Sequence, residues 1–290
     1  MGLRGKFNLM LLGVALAGIL LFALASTPVL DGVAKDEVEQ NSRIMMDAAL
    51  GARQYTSQEI APLLAPSMAK TFHPQSVSAY AAKKNFAVLK SAYPDYAYRE
   101  AALNPTNPED LATDWEADLI NEFRENPKQA EIITQRSTPA GETLNLARPL
   151  SAPAACLECH STPKAAPASM IAIYGPDHGF GWKENEIIGA QIVSVPMSVA
   201  LARADQVRLL FLGLYAGVFA ALFLLLNLLL DYVVIGPIDK MAKVSEAVSM
   251  GAMDAPEYQR GGKDQIAKLS TAINRMRRSL QEALRMLSEG

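Results

Sequence analysis

Apolar and polar positions divide this chain into four regimes. From Phe7 to Leu30 most positions are apolar, and from Leu209 to Leu230 the only polar residue is Asn227. At about 1.5 Å per residue, roughly 22 helical residues cover the hydrocarbon core of a bilayer, about 30 Å. The core helix of a soluble protein is rarely apolar on every face for so long, so both windows read as membrane spans. Arg4 and Lys6 precede the first window, and Ala23-Leu24-Ala25 has the spacing of a signal-peptidase site. A cleaved leader therefore stays open beside an uncleaved anchor, which is favoured because the apolar character resumes past Ala25. Either way the positive N-terminus stays in the cytoplasm and the segment beyond the first window crosses the membrane. Charges at the second span are mixed, with Arg203 and Arg208 on its outer side and Lys240 and Lys243 on its inner side. The expected organisation is a first membrane helix over 1–33, a periplasmic domain over 34–206, a second membrane helix over 207–235 and a cytoplasmic tail over 236–290.

Between the spans the period changes from helical to alternating. Glu37 to Leu64 has helix-forming composition and predicts an outward continuation of the first span. Gln75 to Leu89 predicts a second helix behind Pro74, and a third opens at Pro108 and runs through Trp115 and Phe123, with acids in its first turn. Asn104-Pro-Thr-Asn107-Pro108 is a turn signal. Glu131 to Gln135 and Thr143 to Pro149 predict strands around an Ala140-Gly141 turn; Ile171 to Tyr174 and Ile187 to Val195 predict two more. Helices first and a small sheet later is the order of an α+β domain.

In the tail, Gly236-Pro237 opens a helix with Met241, Val244 and Val248 on one face. After a connector over Gly251 to Gly262, Ile266, Leu269, Ile273, Met276, Leu280, Ala283 and Leu287 keep a three-four alternation. Such a seam is buried only against other helices. Two short helices make a parallel four-helix bundle when two chains associate, so a homodimer is expected. An amphipathic membrane-surface helix is the alternative, suggested by Arg275, Arg277, Arg278 and Arg285.

Composition adds exclusions. A formal charge of −3 implies no nucleic-acid partner. There is no phosphate-binding glycine loop and no Ser/His/Asp arrangement, and the chain holds three histidines; no enzymatic activity is expected. No kinase, cyclase or methyl-accepting region comes after Leu287, so any output is expected from a separate cytoplasmic or redox partner.

The chemistry concentrates in Cys156-Leu-Glu-Cys159-His160, which contains both cysteines of the chain. A disulfide is possible in an oxidising compartment. A zinc site needs two further ligands, and no second pair exists. The third reading is one covalently attached c-type haem, with thioether bonds from Cys156 and Cys159 and His160 as proximal iron ligand. In a segment expected in the periplasm, where such haems are attached, this reading leads. Pro153, Pro163 and Pro167 place the motif in a loop. For the second axial position, His73 before Pro74 and His178 in a glycine turn read as surface loop residues. Met45 and Met46, on the first predicted periplasmic helix, are the candidates, with core packing as their alternative. Arg53 and Arg148 are candidates to neutralise haem propionates, and Tyr174, Phe180 and Trp182 to wall the group.

Several ordered elements carry a resemblance. They are Tyr55-Thr56 with Ala61-Pro-Leu-Leu64, Asn104-Pro-Thr-Asn-Pro108, Asp114-Trp-Glu116, Arg148-Pro149, the cysteine motif, Ala166-Pro-Ala-Ser-Met170, Tyr174-Gly175 and Gly179-Phe-Gly-Trp182. Over about 36 to 200 the chain resembles the periplasmic c-type-haem sensor domains of bacterial receptors. The resemblance implies a PAS-like fold, one haem and a role in redox or small-ligand sensing. Some relatives use a cysteine of the N-terminal helix as distal ligand, from which this chain departs. Pro237, Asp264-Gln-Ile-Ala-Lys-Leu269 and Asn274-Arg-Met276 resemble the HAMP linker of transmembrane receptors, which implies a dimer passing a signal across the inner membrane. A membrane-anchored electron-transfer cytochrome is the alternative function.

Overall fold

The computed structural model describes residues 2–68, 70–139, 141–252, 254 and 256–288; Ala140, expected at a turn, lies outside them. The chain forms two compact units, Ser26–Arg208 and a second made of Met1–Ala25 with Leu209–Gly290.

The Ser26–Arg208 unit is α+β. Helix α1 (Leu3–Tyr55) passes through a wide turn at Thr56–Ile60 into α2 (Ala61–Met68). Helix α3 (Ser78–Ala92) leads to strand β1 (Ala97–Ala102), and α4 (Asp114–Glu125) to the hairpin β2 (Ile132–Thr138) and β3 (Gly141–Ser151). Two short helices of seven residues each, α5 (Ala154–His160) and α6 (Ala168–Tyr174), precede β4 (Ile187–Pro196). The four strands are antiparallel throughout, in the order β1-β4-β3-β2.

Period-two alternation gives this sheet two apolar faces. Leu144, Leu146, Val193 and Val195 are buried with Val38 and Met46 of α1 and with Met197, Ala200 and Ala204 around the start of α7 (Ser198–Leu230). Ala101, Ile132, Ala147, Ala190 and Ile192 point the other way, onto Leu119, Ile120 and Phe123 of α4. Gly189 lets β1 and β4 meet; a Cβ there would lie 2.3 Å from the Ala101 carbonyl oxygen.

Three local expectations change. The predicted strand at Ile171–Tyr174 is the helix α6: Pro167 starts it, accepting from the Met170 N–H at 2.9 Å, and Gly175 at φ +81° ends it. A four-residue apolar run has too little periodicity to separate the two states. The cysteine motif lies on the helix α5, not in a loop, with its prolines at or beyond the ends. The third predicted helix is divided, a single turn at Pro108–Asp110 and then α4 from Asp114.

In the other unit, Gly18 admits Tyr215, whose hydroxyl would lie 2.0 Å from a Cβ there, and Phe22 meets Phe211 with ring centroids 6.4 Å apart. Helices α8 (Gly236–Ser249) and α9 (Gln265–Ser288) bury Met241, Val248 and Ala267. The connector is tied down where Ser270 Oγ and Asn274 Nδ2 donate to the Tyr258 carbonyl at 2.7 and 3.0 Å. The helical runs Arg4–Met68 and Ser198–Ser249 are each long and apolar enough to cross a membrane.

Candidate functional site

Beyond the ends of β1 and β3 and the start of β4 lies a cavity of about 730 Å³, within the usual range of ligand sites. The end of α1, with α2 and α3, walls one part of it, and the α5–α6 segment walls another.

Cys156, Cys159 and His160 all line this cavity. On α5 the two thiols are three residues apart and therefore share a face. Both are free and half-buried. Burial raises both above the usual thiol range, although the Arg53 charge pulls Cys156 partly back.

His160 is oriented from several sides. Its Nδ1 lies 2.7 Å from the Gly179 carbonyl oxygen, which can only accept, so this nitrogen carries the proton. Thr106 Oγ1 stands 3.3 Å from the same nitrogen. The Trp182 ring stacks on the imidazole, centroids 4.1 Å apart and planes 14° apart. Burial lowers the imidazole pKa, with the Gly179 hydrogen bond opposing it. The result is a neutral ring whose Nε2 lone pair is left for a ligand role, the arrangement found behind metal-bound histidines.

Two segments distant in sequence build this cradle. Asn104 donates to the Phe180 carbonyl at 3.2 Å and accepts the Gly179 N–H at 3.0 Å. Trp182 N–H reaches the His160 carbonyl at 3.3 Å. The turn at 104–108 and the glycine-rich segment at 179–182 thus close on the histidine.

The other expected site residues divide. Arg53 lines the cavity and is ion-paired with Glu100, which is 4% exposed. Tyr98 donates to Glu100 at 2.7 Å and accepts from Gln191 at 2.8 Å. Burial, then the Glu100 charge, pushes this phenol far above its ordinary value. Arg148 does not line the cavity; it pairs with Asp47 at 2.7 Å and Glu131 at 3.5 Å. Met45 and Met46 also stay away from it, because their stretch of α1 faces the sheet, where Met46 is fully buried among Leu144, Leu146 and Val193. His73 is absent from the lining, and His178 is exposed. Tyr174 and Trp182 line the cavity; Phe180 stands 6.3 Å from the His160 ring.

Cavity residues not singled out from sequence include Met68, Lys83 and Glu100; Met170, met there only within a shared motif, also lines it. Lys83 is paired with Asp110 at 2.6 Å, and so supplies the second cavity cation in place of Arg148. No sequence signal marked Glu100, since β1, Ala-Tyr-Arg-Glu-Ala-Ala, has no apolar–polar alternation. Among the described residues no cluster of three or more His, Cys, Asp or Glu side chains could hold a bare metal ion.

The model of the Tll0287-like family matches residues 31–196, more than half of the chain and nearly all of the unit that carries the cavity. The chain belongs to the Tll0287-like family. A solved structure, that of the cyanobacterial haem-protein Tll0287, is 18% identical with a TM-score of 0.40; the match covers 52% of this chain and 94% of that one. No curated protein matches the sequence. The matched region contains every residue that lines the cavity, from Arg53 to Ile188.

Proposed function

We propose that this chain carries one c-type haem in the cavity, bound through Cys156 and Cys159, with His160 as proximal ligand. The observation that carries this is the convergence of the two free thiols and an oriented, neutral imidazole on one wall of a 730 Å³ cavity. The haem-protein described in the similar solved structure accords with it. When bound, the haem supplies an iron that changes charge on reduction and can exchange an axial ligand. The chain's own residues orient and enclose. Gly179 holds the His160 tautomer, and Trp182 fixes the ring plane. Arg53 and Lys83 place cations on the cavity, where carboxylates of the group would be balanced.

The two long apolar helices anchor the chain in a bacterial inner membrane, with the haem domain, PAS-like in fold, in the periplasm. The α8–α9 tail acts as a HAMP-like dimeric linker in the cytoplasm. In this reading a redox or small-ligand signal moves the haem domain, and the tail passes the change to a separate partner; the chain itself is not an enzyme. The α9 seam favours sensing, since an electron carrier needs no such linker. One observation favours membrane-anchored electron transfer instead: Cys156 and Cys159 are only half-buried, so a group attached through them would lie near solvent.

The test is expression of the full chain with a c-haem maturation system, then denaturing electrophoresis and haem staining. The wild type is expected to keep its stain, and the Cys156→Ala, Cys159→Ala double variant to lose it. An unstained wild-type chain sinks the proposal. Ready binding of carbon monoxide by the reduced protein supports ligand sensing, whereas indifference to it supports electron transfer or pure redox sensing.

A further inference from the structure

The second axial position is answered by the cavity wall built from the N-terminal helical run, far in sequence from the cysteine motif. Along that run, Arg53, Ser57, Ala61 and Ala65 line the cavity at four-residue steps. Beyond Arg53 this face is small, and none of these four side chains is a practical iron ligand: Arg has no free lone pair, a neutral hydroxyl binds weakly and Ala has no donor. The first soft donor further along is Met68, the last residue of the run. We propose that the Met68 thioether is the distal ligand of the haem iron; this rests on the haem reading above.

The sulfur is held ready by its surroundings. It accepts from the His73 N–H at 3.3 Å, with the Ser76 hydroxyl, which donates to the His73 carbonyl at 2.7 Å, standing 3.5 Å away. Such contacts to sulfur are weak, so they aim the atom yet cost little to give up. Unlike Met46, Met68 is not locked in the apolar core.

Other donors on the cavity are committed or badly placed. Glu100 is held by Arg53 and Tyr98, and Lys83 and Asp110 hold each other. Tyr174 meets Phe72 edge to face, and Tyr80 lies beneath the Lys84 ammonium; either phenol would have to shed a proton to bind iron, and a thioether has none to shed. Met170 is buried on α6, ten residues beyond His160 on the same arm.

A consequence concerns signalling. Met68 ends the helical run Arg4–Met68, which also contains the first candidate span. A change in what holds its sulfur would therefore act on the end of that helix.

The experiment uses the full haem-loaded chain in detergent. The ferric protein is expected to show the weak long-wavelength charge-transfer band of thioether–imidazole ligation. Met68→Leu, which preserves side-chain volume, is expected to lose the band while keeping its haem stain, and Met68→His to return to low spin without the band. Met170→Leu, Met45→Leu and Met46→Leu are expected to keep it. A stained wild type without the band, or a band that survives Met68→Leu, overturns the ligand assignment alone. An unstained wild type overturns it together with the haem reading beneath it.

Discussion

At the scale of single residues, the site depends on backbone as much as on donors. Gly179 has φ +81°, and a Cβ there would lie 2.7 Å from Thr106 Cα. Its carbonyl is the partner of His160 Nδ1. A left-handed non-glycine residue costs on the order of 1–3 kcal/mol, and the approach to Thr106 adds to that. Gly181 serves as the comparison, with φ +78° and nothing within 4 Å of its Cβ position. Gly179→Ala is therefore expected to lower stability by at least about 1 kcal/mol more than Gly181→Ala. Thermal unfolding of the two variants checks this, and equal losses would mean that the contact with Thr106 is unimportant.

At the scale of elements, α4 is held to the sheet by its apolar face and, at its N-terminus, by one buried carboxylate. Glu116 is 3% exposed, accepts from the Thr113 N–H at 2.8 Å and hydroxyl at 2.9 Å, and pairs with Arg99 of β1 at 2.8 Å. It closes the helix N-terminus and joins it to the edge strand whose end reaches the cavity. Removing it leaves the cap open and a cation without its partner. Glu116→Ala is expected to cost about 2 kcal/mol, against a few tenths of a kcal/mol for the exposed Glu122→Ala. Denaturant midpoints measure both; similar small shifts would show that the buried pair does not fasten α4.

At the scale of the whole molecule, the tail in a single chain leaves much of its seam open. Leu269, Leu280, Met276 and Leu287 remain 42% to 80% exposed, although α8 already covers part of α9. A second copy is the expected cover. Cysteine placed at Leu280 is expected to cross-link chains under mild oxidation in membranes, while cysteine at the exposed Arg275 is not. Equal cross-linking at both positions, or none at either, would count against a parallel bundle through this face.

Sequence by itself determined whatever is local or periodic. The two long apolar runs, the helices of the tail and strands β3 and β4 arise from unbroken patterns, since a repeating burial preference needs no knowledge of the partner. The cysteine motif was legible for the same reason: its pattern lies within five residues, and Cys156, Cys159 and His160 all line the cavity. Tertiary structure alone decided the rest. Met45, Met46 and Arg148 were plausible site residues by type, but helix phase and strand direction turned them to the sheet and to Asp47. Short segments such as Ile171–Tyr174 carried too few residues for a period, and β1 had no alternation to announce it until Gly189 and its neighbours gave it a partner. Thr106, Gly179 and Trp182 reach His160 only because loops more than 70 residues apart close on each other, and a chain read one window at a time holds no record of that approach.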